Sequence, residues 1–251
     1  MTRLDPALLL SAYAAGIFPM AESRDANELF WVEPESRAVI PLDRFRLSRS
    51  LRKTIRADRF AVTCDTEFAQ VVRACADRDE TWINPAIERG YARLHEASHA
   101  HSIECWQRGA LVGGLYGVRL GGAFFGESMF STERDASKIA LAWLVARLRV
   151  GGFVLPDCQF MTPHLASLGA IEMSKQDYVA LLGAAVGGGA AGSGAGVAGV
   201  AGVAGFAGRA LATGAARPDF ALLDSLLASG PASVGVPAPG CVIAQLLGQA
   251  S

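Results

Sequence analysis

F-F-G-E-S-M-F-S at residues 124–131, D-A-S-K-I-A-L-A-W-L-V-A-R-L-R-V at residues 135–150 and P-D-C-Q at residues 156–159 decide how this chain is read. The middle run is patterned as a helix and carries no charge from Ile139 to Ala146. Strand, loop, helix, strand is the economical assignment for the whole stretch. That order brings two polar sites, distant in sequence, to the ends of neighbouring strands. Glu127 lies on the first strand and Asp157 and Gln159 on the second. Positions two apart on a strand share a face, so Asp157 and Gln159 point together and Cys158 points away. A carboxylate and an amide on one face, with a second carboxylate nearby, can hold an amine.

Working outward, the 251 residues suit one or two domains. A hydrophobic content of 51% is ample for a core, although Ala, Val and a Gly-rich tail inflate it. The net charge of −1 excludes a chain that is cationic overall, so any nucleic-acid contact must be a local patch. The five Cys, at 64, 75, 105, 158 and 241, form no C-x-x-C pair. With no leader at the N-terminus, they predict reduced, buried thiols in the cytosol rather than a disulfide framework.

Asp5 and Pro6 start a first helix, and Gly16 stands where its C-terminus is expected. An irregular aromatic-rich segment follows, with a domain boundary near Ser36. R-F-R-L-S-R-S-L-R-K-T-I-R-A-D-R at residues 44–59 is basic, and Asp58 is the one acid within it. Arg49, Arg52, Lys53 and Arg56 fall on one helical face. A solvated face is the ordinary meaning of such charge, but like charges at this spacing repel, and few acids compensate them. Phosphate binding is the better account.

Thr66 opens a helix with Phe68, Val71, Val72 and Cys75 inward. Asn84 and Pro85 cap another that runs to about His99, with Ile87, Tyr91 and Leu94 inward. Residues 102–127 read as an antiparallel meander with turns at 107–109 and 119–122. Thr162 and Pro163 start a short helix that Gly169 ends, and Ser174 caps the next. Residues 183–208 are Gly, Ala and Val with one Ser, one Phe and no charge. Collagen would need proline, and a membrane span needs about 20 strongly apolar residues. A flexible insertion fits this composition. Helical signals return at residues 219–229 and from Cys241.

His95-Glu96-Ala97-Ser98-His99 matches H-E-x-x-H on an expected helix, a zinc-peptidase string. The third ligand of its extended form is missing. The plainer account is a pair of helix-end histidines bonded to backbone or to Glu104, and no metal is expected.

Y-A-A-G-I-F-P, W-V-E-P-E-S-R-A-V-I-P-L, H-E-A-S-H-A-H-S-I-E-C-W, L-V-G-G-L-Y-G-V, F-F-G-E-S-M-F-S, D-C-Q and H-L-A-S-L-G-A occur in this order between about residues 8 and 182. Together they resemble the leucyl/phenylalanyl-tRNA–protein transferases. The resemblance implies an α/β (α+β) fold: a small N-terminal domain at 1–36 and an acetyltransferase-like mixed sheet flanked by helices at 37–182. The Gly/Ala-rich insertion at 183–210 and a C-terminal segment at 211–251, packed on the catalytic domain, complete the division. It also implies transfer of Leu or Phe, and Met less well, from aminoacyl-tRNA to an N-terminal Arg or Lys, creating a degradation signal.

By the same resemblance, Asp157 orients Gln159 and shapes the electrostatics of the amine, Gln159 bonds the reacting amine or ester, and Glu127 binds a cationic amino group. Leu115, Phe124, Met129, Leu141, Leu144 and Pro156 would form the side-chain pocket. Trp82 would stack on the terminal adenine, with Met20 where some members carry a second tryptophan, and Arg49, Arg52, Lys53 and Arg56 would bind tRNA. The terminal ribose 2′-hydroxyl is a candidate proton acceptor. No cofactor is implied, and the protein is expected to act as a cytoplasmic monomer without a membrane. Coenzyme A is disfavoured because the turn before the central helix, S-T-E-R-D-A-S-K, lacks glycine and places Glu133 and Asp135 where a pyrophosphate would sit. The alternatives are a zinc metallopeptidase using His95, Glu96 and His99, and a non-catalytic binder of basic N-termini.

Overall fold

A computed structural model of the chain describes residues 4–187, 217–228 and 238–248. Asp5 caps α1 (Pro6–Ala14), its carboxylate accepting from Ala7 N at 2.9 Å, with proline at the first turn, where no backbone donor is needed. β1 (Phe18–Met20) and β2 (Phe30–Val32) then form a two-stranded antiparallel sheet.

β3 (Ser36–Val39) enters a seven-stranded sheet. Next come α2 (Arg49–Arg56), β4 (Ala61–Cys64), α3 (Phe68–Ala76) and α4 (Pro85–Glu96). The meander is β5 (Ala100–Gln107), β6 (Ala110–Leu120) and β7 (Ala123–Ser131). α5 (Ala136–Val150) crosses to β8 (Leu155–Gln159), which runs parallel to β7. α6 (Pro163–Ser167), β9 (Ile171–Ser174), α7 (Lys175–Gly187), α8 (Leu222–Ala228) and α9 (Pro239–Gly248) complete the described chain. The strand order is β4-β5-β6-β7-β8-β3-β9. No described helix is long and apolar enough to cross a membrane.

The sheet separates two cores. On one side α2, α5, α8 and α9 pack against Ile103, Leu115 and Phe124. On the other, α1, α3, α4 and α7 pack against Tyr116, Phe125 and Leu155. α5 is buried nearly all round, as its uncharged centre requires.

Three expectations change. α3 begins at Phe68 rather than at Thr66, whose hydroxyl bonds back to the Cys64 carbonyl. α4 ends at Glu96, and Ser98 takes a left-handed φ of 58°, so His99 does not lie one helical turn beyond His95. Gly183 and Gly187, which composition assigns to the insertion, belong to α7. Ala184, Ala185 and Val186 between them belong to it too, and residues 188–210 of the insertion lie outside the described residues.

α9 crosses α2 closely at Gly240, where a Cβ would overlap the Ile55 carbonyl oxygen. Gly183 has open space around its Cα within a helix. We expect Gly240→Ala to lower stability by about 1–3 kcal/mol in urea melts, and Gly183→Ala to raise it by about 0.5–1 kcal/mol. A neutral or destabilising Gly183→Ala would contradict the helical placement.

Candidate active site

β7 and β8 pair only from Ala123↔Leu155 to Phe125↔Asp157. Beyond that point β7 continues along β6, whereas β8 pairs with β3 at Ala38↔Gln159 and Val39↔Asp157. The gap between the diverging strands opens a cavity of about 520 Å³. Leu115, Phe124, Met129, Leu141, Leu144 and Pro156, the six positions expected to form a side-chain pocket, all line it. So do Met20, Trp82, Glu127, Asp157 and Gln159. The basic set is elsewhere: Arg49, Arg52, Lys53 and Arg56 are exposed on α2, outside the cavity lining.

Asp157 and Gln159 are brought together, but not by simple strand alternation. Gln159 adopts φ 62°, in the left-handed region, and its backbone N–H donates to Asp157 Oδ1 at 2.7 Å. A non-glycine residue held there costs about 1–3 kcal/mol, so its surroundings must enforce it. The Gln159 amide then reaches Glu127, with Nε2 donating to Oε1 at 2.8 Å.

Asp157 is committed to a buried ion pair that sequence reasoning does not identify. Arg37 Nη2 lies 2.6 Å from Asp157 Oδ2, and Tyr178 donates to the same oxygen at 2.7 Å. Arg37 also donates to Gly16 O at 3.0 Å and sits over the Phe18 and Tyr178 rings, at 5.0 and 4.4 Å from their centroids. Burial pulls its pKa down, but Asp157 outweighs this and raises it, so the guanidinium stays charged.

Glu127 is the titrating member of the site. Burial, opposed by the bonds from Tyr91 and Tyr13, pushes its carboxyl from an ordinary 4.5 up to about 7. Tyr13 donates to Oε1 at 2.8 Å and Tyr91 to Oε2 at 2.7 Å, while the two hydroxyl oxygens stand 2.6 Å apart. Burial holds both tyrosines well above their usual pKa, so each keeps its one proton. Three oxygen–oxygen contacts close into a ring, and the tyrosines supply only two protons. A proton on Glu127 Oε2 supplies the third: Oε2 then donates to Tyr91, Tyr91 turns its own proton to Tyr13, and Tyr13 still donates to Oε1. Sequence patterning misses Tyr13 and Tyr91 as well: Tyr91 reads as an inward apolar position, and Tyr13 carries no signal beyond its place in Y-A-A-G.

Two further buried polar atoms in the cavity lining, the Tyr116 hydroxyl and His164 Nε2, have no protein partner among the described residues. Such atoms are ones a bound ligand would satisfy. Arg78 also lines the cavity, with Nη2 donating to Ser128 Oγ and Met129 O, each at 3.1 Å.

The zinc string is not assembled. His95 Nδ1 lies 2.9 Å from the Ala100 carbonyl and its ring stacks on Phe68 at 4.2 Å, and no cluster of three metal-ligating side chains occurs among the described residues. Glu104, an expected partner for these histidines, instead accepts from Ser102 and Thr63.

An apolar slot that ends on a buried carboxyl and an amide suits an acyl side chain at one end and an amine at the other, the layout of an aminoacyltransferase. The model of the leucyl/phenylalanyl-tRNA protein transferase family matches residues 39–183, and that of the family's N-terminal domain matches residues 2–35. A leucyl/phenylalanyl-tRNA–protein transferase of Rhizorhabdus wittichii is 62% identical over 259 aligned positions covering 100% of both chains. Proteins of the same description from Zymomonas mobilis and Cereibacter sphaeroides are 60% and 62% identical, over 73% and 74% of this chain and 70% and 86% of their own. The chain belongs to the leucyl/phenylalanyl-tRNA protein transferase family.

The proton count sets a stability test. A carboxyl whose native pKa lies above its unfolded value weakens the fold once the unfolded chain ionises. The cost is absent below about 4.5, grows as pH rises, and is complete above about 7. Gln has the shape of a protonated Glu. Glu127→Gln should therefore match the parent at about pH 4 and exceed it above pH 7, by on the order of 3 kcal/mol in chemical denaturation. A variant less stable than the parent at high pH would refute the protonated ring.

Proposed function

We propose that this protein moves Leu or Phe, and Met less well, from aminoacyl-tRNA onto the N-terminal Arg or Lys of acceptor proteins, acting as a cytoplasmic monomer. The peptide bond formed creates an N-terminal degradation signal. The observation that carries this reading is the union, in one cavity, of an apolar slot with Glu127, Gln159 and Trp82. The apolar walls take the amino-acid side chain, and Trp82 stacks on the terminal adenine, an interaction worth about 1–3 kcal/mol. Met20 packs there through its polarisable sulfur.

The neutral acceptor amine attacks the ester carbonyl, the carbon–nitrogen bond forms, the bond to the ribose oxygen breaks, and the proton lost by the amine ends on that ribose oxygen as a hydroxyl. The ester is already reactive, so positioning accounts for much of the rate. Glu127, when ionised, attracts the cationic N-terminal residue. Gln159 hydrogen-bonds the amine or ester, and Asp157 acts through Gln159 by holding its backbone N–H. Replacing Asp157 by Ala or by Asn would leave the Arg37 charge unpaired in the core, a loss of about 3–5 kcal/mol.

The deciding experiment supplies radiolabelled Leu-tRNA, a chelator and two peptides, one beginning with Arg and one with Ala. Label should pass only to the Arg peptide. Label on neither peptide while the tRNA stays charged would overturn the reading, and label on both would remove the claim of basic acceptors.

The exposed cations of α2 neutralise tRNA phosphates in this reading. Replacing Arg49, Arg52, Lys53 and Arg56 with Gln should weaken tRNA binding and flatten the plot of log affinity against log salt by about 0.7–0.9 for each phosphate left without its cation. An unchanged salt slope in filter binding would place the tRNA on another face.

A further inference from the structure

Phe124 forms part of the cavity wall, and its position is not set by cavity residues alone. The Phe220 ring stacks on it with centroids 5.6 Å apart and planes 5° from parallel. Phe220 does not line the cavity. Its other neighbours are His101, stacked at 4.1 Å, and Phe153, edge-on at 6.1 Å. Gly117 confines Phe124 further, since a Cβ there would come within 2.5 Å of Phe124 Cε1.

Phe220 is itself held from several directions. Arg147, buried on α5, donates to the Phe220 carbonyl at 2.7 Å and to the two Asp224 oxygens at 2.6 and 2.5 Å. The Arg147 guanidinium carbon stands 5.1 Å from the Phe220 ring centroid. One residue earlier, Asp219 N donates to Gly151 O at 2.9 Å, and Gly151 leaves no room for a side chain at this crossing. An aromatic ring clamped by a buried cation and backbone bonds is a firm support, because close-packed interiors transmit displacement rather than absorb it.

From this geometry we infer that Phe220, carried by the segment beyond the Gly/Ala-rich tract, is a specificity-determining residue: by fixing Phe124 it sets the size of the side-chain slot and hence the choice between Leu and Phe. Phe220 lies outside the residues matched by the family models, 2–35 and 39–183. The inference rests on the function proposed above, in which this slot receives the transferred amino acid.

The test compares wild-type full-length protein with Phe220→Ala and Phe220→Leu, measuring kcat/KM for Leu-tRNA and Phe-tRNA with an Arg peptide. Losing the stacked ring lets Phe124 retreat, so the Phe-to-Leu ratio should rise about tenfold, the scale on which a hydrophobic pocket discriminates by volume. Phe220→Leu retains an apolar side chain and reads the same ratio in a less disruptive background. A purely structural role would lower both substrates together, and an unchanged ratio in a folded variant overturns the inference. Crystal structures of wild type and Phe220→Leu provide a readout independent of transfer. Phe124 displaced from the slot supports the buttress, and Phe124 unmoved defeats it. Wild-type protein that transfers neither amino acid sinks the proposed function, while the crystallographic arm still judges the buttress.

Discussion

Arg37 and Asp157 meet with Nη2 2.6 Å from Oδ2 where solvent scarcely reaches either side chain. Taking two ions out of water costs several kcal/mol each, and the arrangement survives only if nearly every donor and lone pair is used. Here Arg37 directs its donors to Asp157, Tyr178 and the Gly16 carbonyl, and Asp157 accepts in addition from Tyr178 and from Gln159 N. The pair thereby joins β3, β8, α7 and the turn after α1. Tyr13 lies on that same first helix, so the ring around Glu127 takes its position partly from Arg37. Gln159 is held in its left-handed conformation by the carboxylate that Arg37 anchors.

This anchoring divides two nearby carboxyls by role. Asp157 is surrounded by an arginine, a tyrosine and a backbone N–H, so its charge is neutralised internally. Glu127 receives two tyrosines and an amide but no direct cation. Burial dominates it, and it titrates near neutrality. A site of this kind can exchange its internal proton for the positive charge of an incoming amine. The cationic ligand would replace Arg37's distant influence with a direct one and favour the ionised carboxylate.

The parts of this architecture visible in sequence are those with local causes. Asn84 before Pro85 names a helix start, and the Asn84 side chain accepts from Ala86 N and Ile87 N. The hairpin turns, the uncharged centre of α5 and the placing of Glu127 and Asp157 on neighbouring strands follow from period and order. Arg37, Tyr13, Tyr91 and Tyr178 are opaque as site residues because their partners lie far along the chain: Tyr13 is 114 residues from Glu127, and Arg37 is 120 from Asp157. A buried tyrosine has the same pattern as a phenylalanine until the partner of its hydroxyl is known. The H-E-x-x-H string misleads for the converse reason. Its meaning requires a helix through the fifth residue, and the left-handed Ser98 turns the chain before His99.

The site also depends on a division between the two sheet faces. Leu115 and Phe124 belong to the core under α5, whereas Tyr116 and Phe125 belong to the core under α1 and α4. Within a continuous sheet these faces never communicate, because backbone hydrogen bonds seal the plane between them. The separation of β7 from β8 after Phe125↔Asp157 removes that seal, and the cavity passes from the apolar face to the carboxyl-bearing one. Continued pairing along β7 and β8 would have satisfied more backbone groups. β8 keeps β3, and β7 keeps β6, on the edge away from the gap, so each strand retains a partner while the gap stays open. An acyl side chain and an amine, which need opposite surroundings, can then be held side by side in one cavity.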